Sequence, residues 1–181
     1  MKNHSRFSRQ LLSLILLACL TAPVLAAGSG PTQAYIRAGE HGQALLLNRL
    51  GECYAVTPAH VVGSDLFATL IGGEAGKPQG DGDLLQTFGY DLSILRVTGA
   101  LAKQCGGALA NVPVLDRLLS ATSAANVTSV NEDGSISRRN VTLSDVGLIY
   151  LRLRPDSGSE LFKGLSGSLV LVGDKPVGIL M

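Results

Sequence analysis

Tryptophan is absent from this chain, aromatic residues make up 4% of it, and histidine and cysteine each occur three times. The scarcities exclude whole classes of function. His4, His41 and His60 include no closely spaced pair, and Cys19, Cys53 and Cys105 lack the spacing of a metal site, so no metal is expected. Charged residues are only 16%, with 15 Lys+Arg against 14 Asp+Glu, which leaves no surplus of either sign to draw nucleic acid or an anionic membrane. There is no internal repeat, coiled-coil pattern or low-complexity tract.

What is plentiful points to β structure. Hydrophobic residues make up 46% of the 181, enough to support a core, and 22 glycines favour a turn-rich β protein over a helical bundle. The one long apolar run is N-terminal. Lys2, Arg6 and Arg9 precede Leu11 to Leu20, and the run continues to Ala27, with Val24-Leu25-Ala26 or Leu25-Ala26-Ala27 as a small-residue cleavage site. It is too short and wrongly flanked for a spanning helix, so residues 1–26 read as a secretory signal peptide and the protein as exported, periplasmic or secreted, with no membrane insertion after its removal. Cleavage takes three basic residues and no acidic one, leaving a formal charge of −2. A subsidiary reading is anchoring: Leu16-Leu17-Ala18-Cys19 resembles a bacterial lipoprotein box with Cys19 lipidated. Cys53 and Cys105 are then the only mature cysteines, free to form one disulfide in an oxidising compartment.

Short β-prone runs follow one another: Gln43 to Asn48, Cys53 to Thr57, Leu66 to Ile71, Leu84 to Phe88 and Leu92 to Val97, with Glu74 to Asp83 as a glycine-rich loop. Thr98 to Asn111 looks like a crossing. Ala125 to Val130, Val141 to Leu143, Ile149 to Arg154, Ser168 to Val172 and Pro176 to Leu180 repeat the β character, with a turn at Asp133-Gly134. The only helical signal is Val114 to Leu119.

Three stretches carry chemistry. Cys53 to Val62 is an apolar run ending in Thr57-Pro58-Ala59-His60. A histidine just past a rigid strand is held in place, and its ordinary pKa of about 6.5 suits proton transfer. Gly89-Tyr90-Asp91 precedes the apolar run Leu92 to Val97, and Gly164-Leu165-Ser166-Gly167-Ser168 precedes Leu169 to Val172. Taken singly they are a turn-capping histidine, a strand-edge acid and a loop before a hairpin. Taken together they resemble the Thr-Ala-Ala-His, Asp-Ile-Ala-Leu-Leu and Gly-Asp-Ser-Gly-Gly signatures of the trypsin-like (chymotrypsin-fold) serine proteases. The intervals, 31 residues from His60 to Asp91 and 75 from Asp91 to Ser166, are similar to those of compact bacterial members.

The resemblance implies an all-β fold of two six-stranded-type antiparallel barrels, residues 27–111 carrying His60 and Asp91 and residues 112–181 carrying Ser166. It implies an exported serine endopeptidase with a polypeptide substrate and no cofactor. Ser166 would be acylated, His60 would be base and then acid, Asp91 would orient the imidazole, and the Gly164 and Ser166 amides would form an oxyanion hole, typically worth about 10²–10³ in rate per donor. Glu160, six residues before Ser166, would sit on the floor of the primary specificity pocket and favour Lys or Arg, unless it is a solvated loop acid. Order supports this reading: an α/β-hydrolase needs a histidine after the serine, and none follows His60. The decoy Asp156-Ser157-Gly158-Ser159 lacks a glycine two residues before Ser157. Departures from the family pattern are Leu165 for an acid or amide, Ser168 for a glycine, and an expected second barrel truncated at its C-terminus. These keep a rival reading open, a catalytically inactive protease-fold binding protein or a non-functional fragment.

Overall fold

The computed structural model describes residues 32–73, 77–106, 112–147, 150–158 and 160–181. The expected signal peptide, residues 1–26 with Cys19, lies outside the described residues.

The first half closes into a barrel. β1 (Gln33–Arg37), β2 (His41–Arg49), β3 (Glu52–Pro58), β4 (Phe67–Gly72), β5 (Gln79–Phe88) and β6 (Leu92–Val97) pair antiparallel in the order β1-β2-β3-β6-β5-β4 and back to β1. Closure removes the free strand edges that would otherwise invite aggregation. Ile36, Leu46, Leu70 and Leu95 point inward and are at most 1% exposed. Burial of each is worth about 1.5–3 kcal/mol. A single helical turn, α1 (Ala59–Val62), plugs one end with Val61 and Val62, and α2 (Gly99–Gln104) covers the barrel with Leu101. Cys53 on β3 and Cys105 just past α2 form a disulfide, with alpha carbons 5.9 Å apart.

The second half is a sheet of five strands. α3 (Val112–Ala121) leads into β7 (Ala124–Val130), β8 (Ile136–Val146), β9 (Leu151–Pro155), β10 (Leu169–Val172) and β11 (Lys175–Ile179), ordered β11-β10-β7-β8-β9. Its core is Val127, Val141, Leu143, Val170 and Val172, with Leu118 and Leu119 of α3 packed against it. The sheet curls so far that a Cβ added to Gly178 on β11 would lie 3.5 Å from Leu151 on β9, yet the two outer strands are not hydrogen-bonded to each other. The architecture is all-β and antiparallel, with one closed barrel and one curled, five-stranded half.

A polar seam joins the halves. Gln33 Nε2 donates to the Thr128 carbonyl (2.6 Å) and Gln33 Oε1 accepts from Thr128 Oγ1 (3.0 Å). Gln43 Nε2 donates to the Val130 carbonyl (3.0 Å) and its Oε1 accepts from the Val130 amide (2.7 Å). Both glutamines are buried, so these bonds satisfy groups that would be costly to leave unpaired, and they set where β7 sits on the first barrel.

Several elements differ from the sequence expectation. β1 lies ahead of the first expected strand, the crossing contains α2, and β5 begins within the expected glycine-rich loop. The last has a packing cause. A Cβ on Gly80 would lie 2.6 Å from the Thr98 carbonyl oxygen and 2.9 Å from Leu101 Cβ, so glycine there lets α2 lie directly on the strand. The helical signal at Val114 to Leu119 is the centre of the longer α3.

Candidate active site

Asp91 lies in the tight turn between β5 and β6, and both Tyr90 and Asp91 have left-handed backbones, φ 61° and 57°. From there it grips the start of α1. The first amides of a helix have no partner within it. Here the Asp91 carbonyl accepts from the Ala59 amide (2.9 Å), and Asp91 Oδ1 accepts from the His60 amide (2.8 Å). The second carboxylate oxygen reaches the ring: His60 Nδ1 and Asp91 Oδ2 are 2.5 Å apart. At its other end, α1 gives its Val61 and Val62 carbonyls to the Glu40 and Gly39 amides of the β1–β2 turn (2.9 and 3.3 Å). One carboxylate thus holds both the main chain and the imidazole of the same residue. Burial pushes the Asp91 carboxyl up, but its hydrogen bonds to the His60 ring and amide, and its attraction to the ring, outweigh that and hold it below the ordinary carboxylate value.

Ser166 reaches this region from the loop before β10. Its carbonyl accepts from the Gln43 amide of β2 (2.8 Å), and Gln43's own carbonyl accepts from Thr57 Oγ1 (2.8 Å), the threonine three residues before His60. Gly167 lies flat against this junction. With φ +88°, a Cβ there would stand 1.9 Å from the Gln43 carbonyl oxygen and 3.0 Å from Pro58. The Gly167 amide donates to the Leu180 carbonyl (2.6 Å), the Ser168 amide to the Leu165 carbonyl (2.8 Å), and the Leu165 amide to the Phe162 carbonyl (3.3 Å). Among the described residues, the Gly164 and Ser166 amides have no hydrogen-bond acceptor, and no hydrogen bond joins Ser166 Oγ to the His60 ring. Buried Ser168 Oγ has no partner either.

The structure therefore couples His60 directly to Asp91 and clamps the Ser166 loop onto the strand beside them. Gln43, which makes the clamp with Gly167 of the motif, carries no motif signal of its own; only the close approach of backbones singles it out. Glu160 lines a surface depression of about 500 Å³ with Gly158, Phe162 and two arginines of β8. Ser157 is exposed in the turn after β9. His41 opens β2 and is hydrogen-bonded through Nδ1 to the Tyr35 hydroxyl. Among the described residues, no group of three or more His, Cys, Asp or Glu side chains could hold a metal ion, and no helix is long and apolar enough to cross a membrane.

A closed antiparallel barrel bearing a histidine–aspartate pair, beside a β half bearing a Gly-x-Ser-Gly loop, is the fold of the trypsin-like serine proteases. Solved structures of that fold match at probability 1.00. They include a serine protease of a human pathogenic astrovirus (TM-score 0.57, 18% identity, 82% of this chain and 80% of that one). Deg5 matches with TM-score 0.62 and 14% identity over 98% of this chain and 87% of that one. The MamO protease domain of Magnetospirillum magneticum matches with TM-score 0.56 and 16% identity over 83% of each. At such identities the likeness is one of fold. No protein-family model and no curated protein matches the sequence.

Proposed function

We propose that this protein is an exported serine endopeptidase that cuts polypeptides through His60, Asp91 and Ser166. The observation that carries the reading is the two-point hold of Asp91 on His60, through the amide at 2.8 Å and Nδ1 at 2.5 Å. With Nδ1 donating to the carboxylate, Nε2 is left as the proton acceptor. Ser166 Oγ then loses its proton to Nε2 as it attacks the substrate carbonyl. The tetrahedral oxyanion is met by the Gly164 and Ser166 amides, whose lack of an acceptor among the described residues suits that role. The imidazolium protonates the leaving amine, and water, activated in the same way, releases the acyl group from Ser166. The unclosed distance between Ser166 Oγ and the ring is compatible with this scheme, because such bonds are often long in a free enzyme and tighten around substrate.

In this reading residues 1–26 are removed on export, residues 27–111 supply base and orienting acid, and residues 112–181 supply the nucleophile. Glu160 belongs to the substrate-binding side of the nucleophile loop. The rival, a protease-fold binding protein without catalysis, draws on the same absent Ser166–His60 bond and on Leu165. A fluorophosphonate probe separates the two. Stoichiometric labelling of the native chain, lost in Ser166→Ala and kept in Ser157→Ala, is the expected result; no labelling of the native chain leaves the binding protein as the reading.

A further inference from the structure

We propose that the depression beside the nucleophile loop selects an acidic substrate side chain, with Arg139 as the residue that takes its carboxylate. This rests on the protease reading above and names its substrate class. On β8, Arg139 lies opposite Val127 of β7 and two residues from Val141, both core residues, so its side chain leaves the inward face of the sheet where the apolar row ends. It is half-buried and held in place. Arg139 Nη1 donates to the hydroxyl of buried Ser129 (3.2 Å), and its guanidinium carbon lies 4.6 Å from the centre of the Phe162 ring. Phe162 is bonded through its carbonyl to the Leu165 amide, one residue before Ser166. A single side chain thus separates the guanidinium from the nucleophile loop.

Among the described residues, no carboxylate lies within 4 Å of Arg139. A half-buried guanidinium with one hydroxyl partner and one ring keeps most of its five donors available, and their fork matches a carboxylate. Arg138 lines the same depression, and Glu160, the one acid among its described lining residues, pairs with neither arginine. Two cations against one anion make the depression attract an acid and repel a Lys or Arg side chain. Glu160 opposes that preference without reversing it, and the apolar ring of Phe162 gives the methylenes of a glutamate something to pack on.

The test uses the inactive Ser166→Ala protein, which binds without cutting, and fluorescent peptides that differ only in their last residue: Glu, Lys or Leu. Fluorescence anisotropy should show the Glu peptide bound about ten-fold more tightly than the other two. Arg139→Gln should abolish the difference. Glu160→Gln, at an exposed position that should not disturb folding, should tighten the Glu peptide by a few-fold. Equal binding of the three, tighter binding of the Lys peptide, or no binding of any overturns the inference. Fluorophosphonate labelling of the native chain reports on the protease reading separately: a labelled protein with no preference for the Glu peptide sinks the inference alone, and an unlabelled protein that prefers it sinks the protease reading alone.

Discussion

Asp91 holds His60 twice, taking its amide on one carboxylate oxygen and its ring Nδ1 on the other, while the Asp91 carbonyl takes the amide of Ala59. The turn that carries Asp91 and the helical turn that carries His60 therefore behave as one unit. The hold also explains the strained backbone at Tyr90 and Asp91, which points both the carbonyl and the carboxylate at the same helix start.

Replacing Asp91 with Asn keeps the shape and breaks this logic. The amide has one acceptor oxygen where the carboxylate uses two, so the His60 amide and the ring N–H no longer each have an oxygen of their own, and an NH₂ facing the ring would turn it toward the wrong tautomer. Fluorophosphonate labelling of Asp91→Asn should fall by roughly 10³–10⁴-fold, with the circular dichroism spectrum unchanged. Labelling at the native rate would show that Asp91 does not orient the base.

The same pair makes a pH prediction. The Asp91 carboxyl is held below its ordinary value in the folded state, so its contribution to stability is present above the unfolded carboxylate pKa of about 3.9 and is lost as pH falls from there through the lower folded value. Urea denaturation should find native protein more stable than Asp91→Asn near pH 7 and near pH 5 alike. The gap should narrow only as pH falls below about 3.9. A gap that closes already between pH 7 and pH 5 would assign the effect to another group.

Gly167→Ala tests the clamp. A methyl 1.9 Å from the Gln43 carbonyl oxygen cannot be accommodated by a side-chain shift, because both parties are backbone. The left-handed conformation at φ +88° adds about 1–2 kcal/mol against any residue with a Cβ. The loop must lift off β2, and displacement of a reacting group by about 1 Å can lower the rate by about 10²-fold. Labelling of Ser166 should fall at least that far while the Cys53–Cys105 disulfide still forms, as read by thiol titration.

Cys105→Ser should destabilise the protein without abolishing the site. The bridge spans 52 residues, and closing a loop of that size is worth about 4 kcal/mol in the chain-entropy picture. It ties α2 to β3, away from His60 and Asp91. Expected is a large fall in the urea midpoint, matched by native protein in reductant, with labelling kept at low temperature. Equal midpoints with and without reductant would mean the bridge contributes nothing.

The β2–β3 turn offers a gain. Leu50 is 96% exposed and sits at φ 55°, before Gly51 at φ 82°, a turn that favours Asn-Gly. Leu50→Asn loses no packing and relieves a left-handed β-turn leucine, so a stabilisation of about 0.5–1 kcal/mol is expected in thermal denaturation. A lower midpoint would contradict the turn geometry.

Much of this was legible from residues in a row. The apolar runs that became β2, β3, β4 and β6 alternate or stay apolar as buried strands must, and Thr57-Pro58-Ala59-His60, Gly89-Tyr90-Asp91 and Gly164 to Ser168 stand out because each places a reactive side chain at the end of such a run. Other features were not legible. β1 has no length or turn signal strong enough to announce it, and β5 begins in Gln79-Gly80-Asp81-Gly82-Asp83, which reads locally as loop. Gly80 lies under α2 and Gly82 under the side chains of Leu70 and Leu95, contacts made in the folded barrel that no local pattern announces.

The sequence by itself determined the β class, the two cysteines able to pair and the order His60, Asp91, Ser166, since these depend on local pattern and count. Tertiary structure alone decided that Gln33 and Gln43 bridge the halves, that Gly167 lies flat against the Gln43 carbonyl, and that Arg139 faces the depression beside the nucleophile loop. These depend on groups as much as 95 residues apart meeting at ångström distances, as Gln33 does with Thr128. No local periodicity encodes such a meeting, because it is set by how strands from both halves pack together.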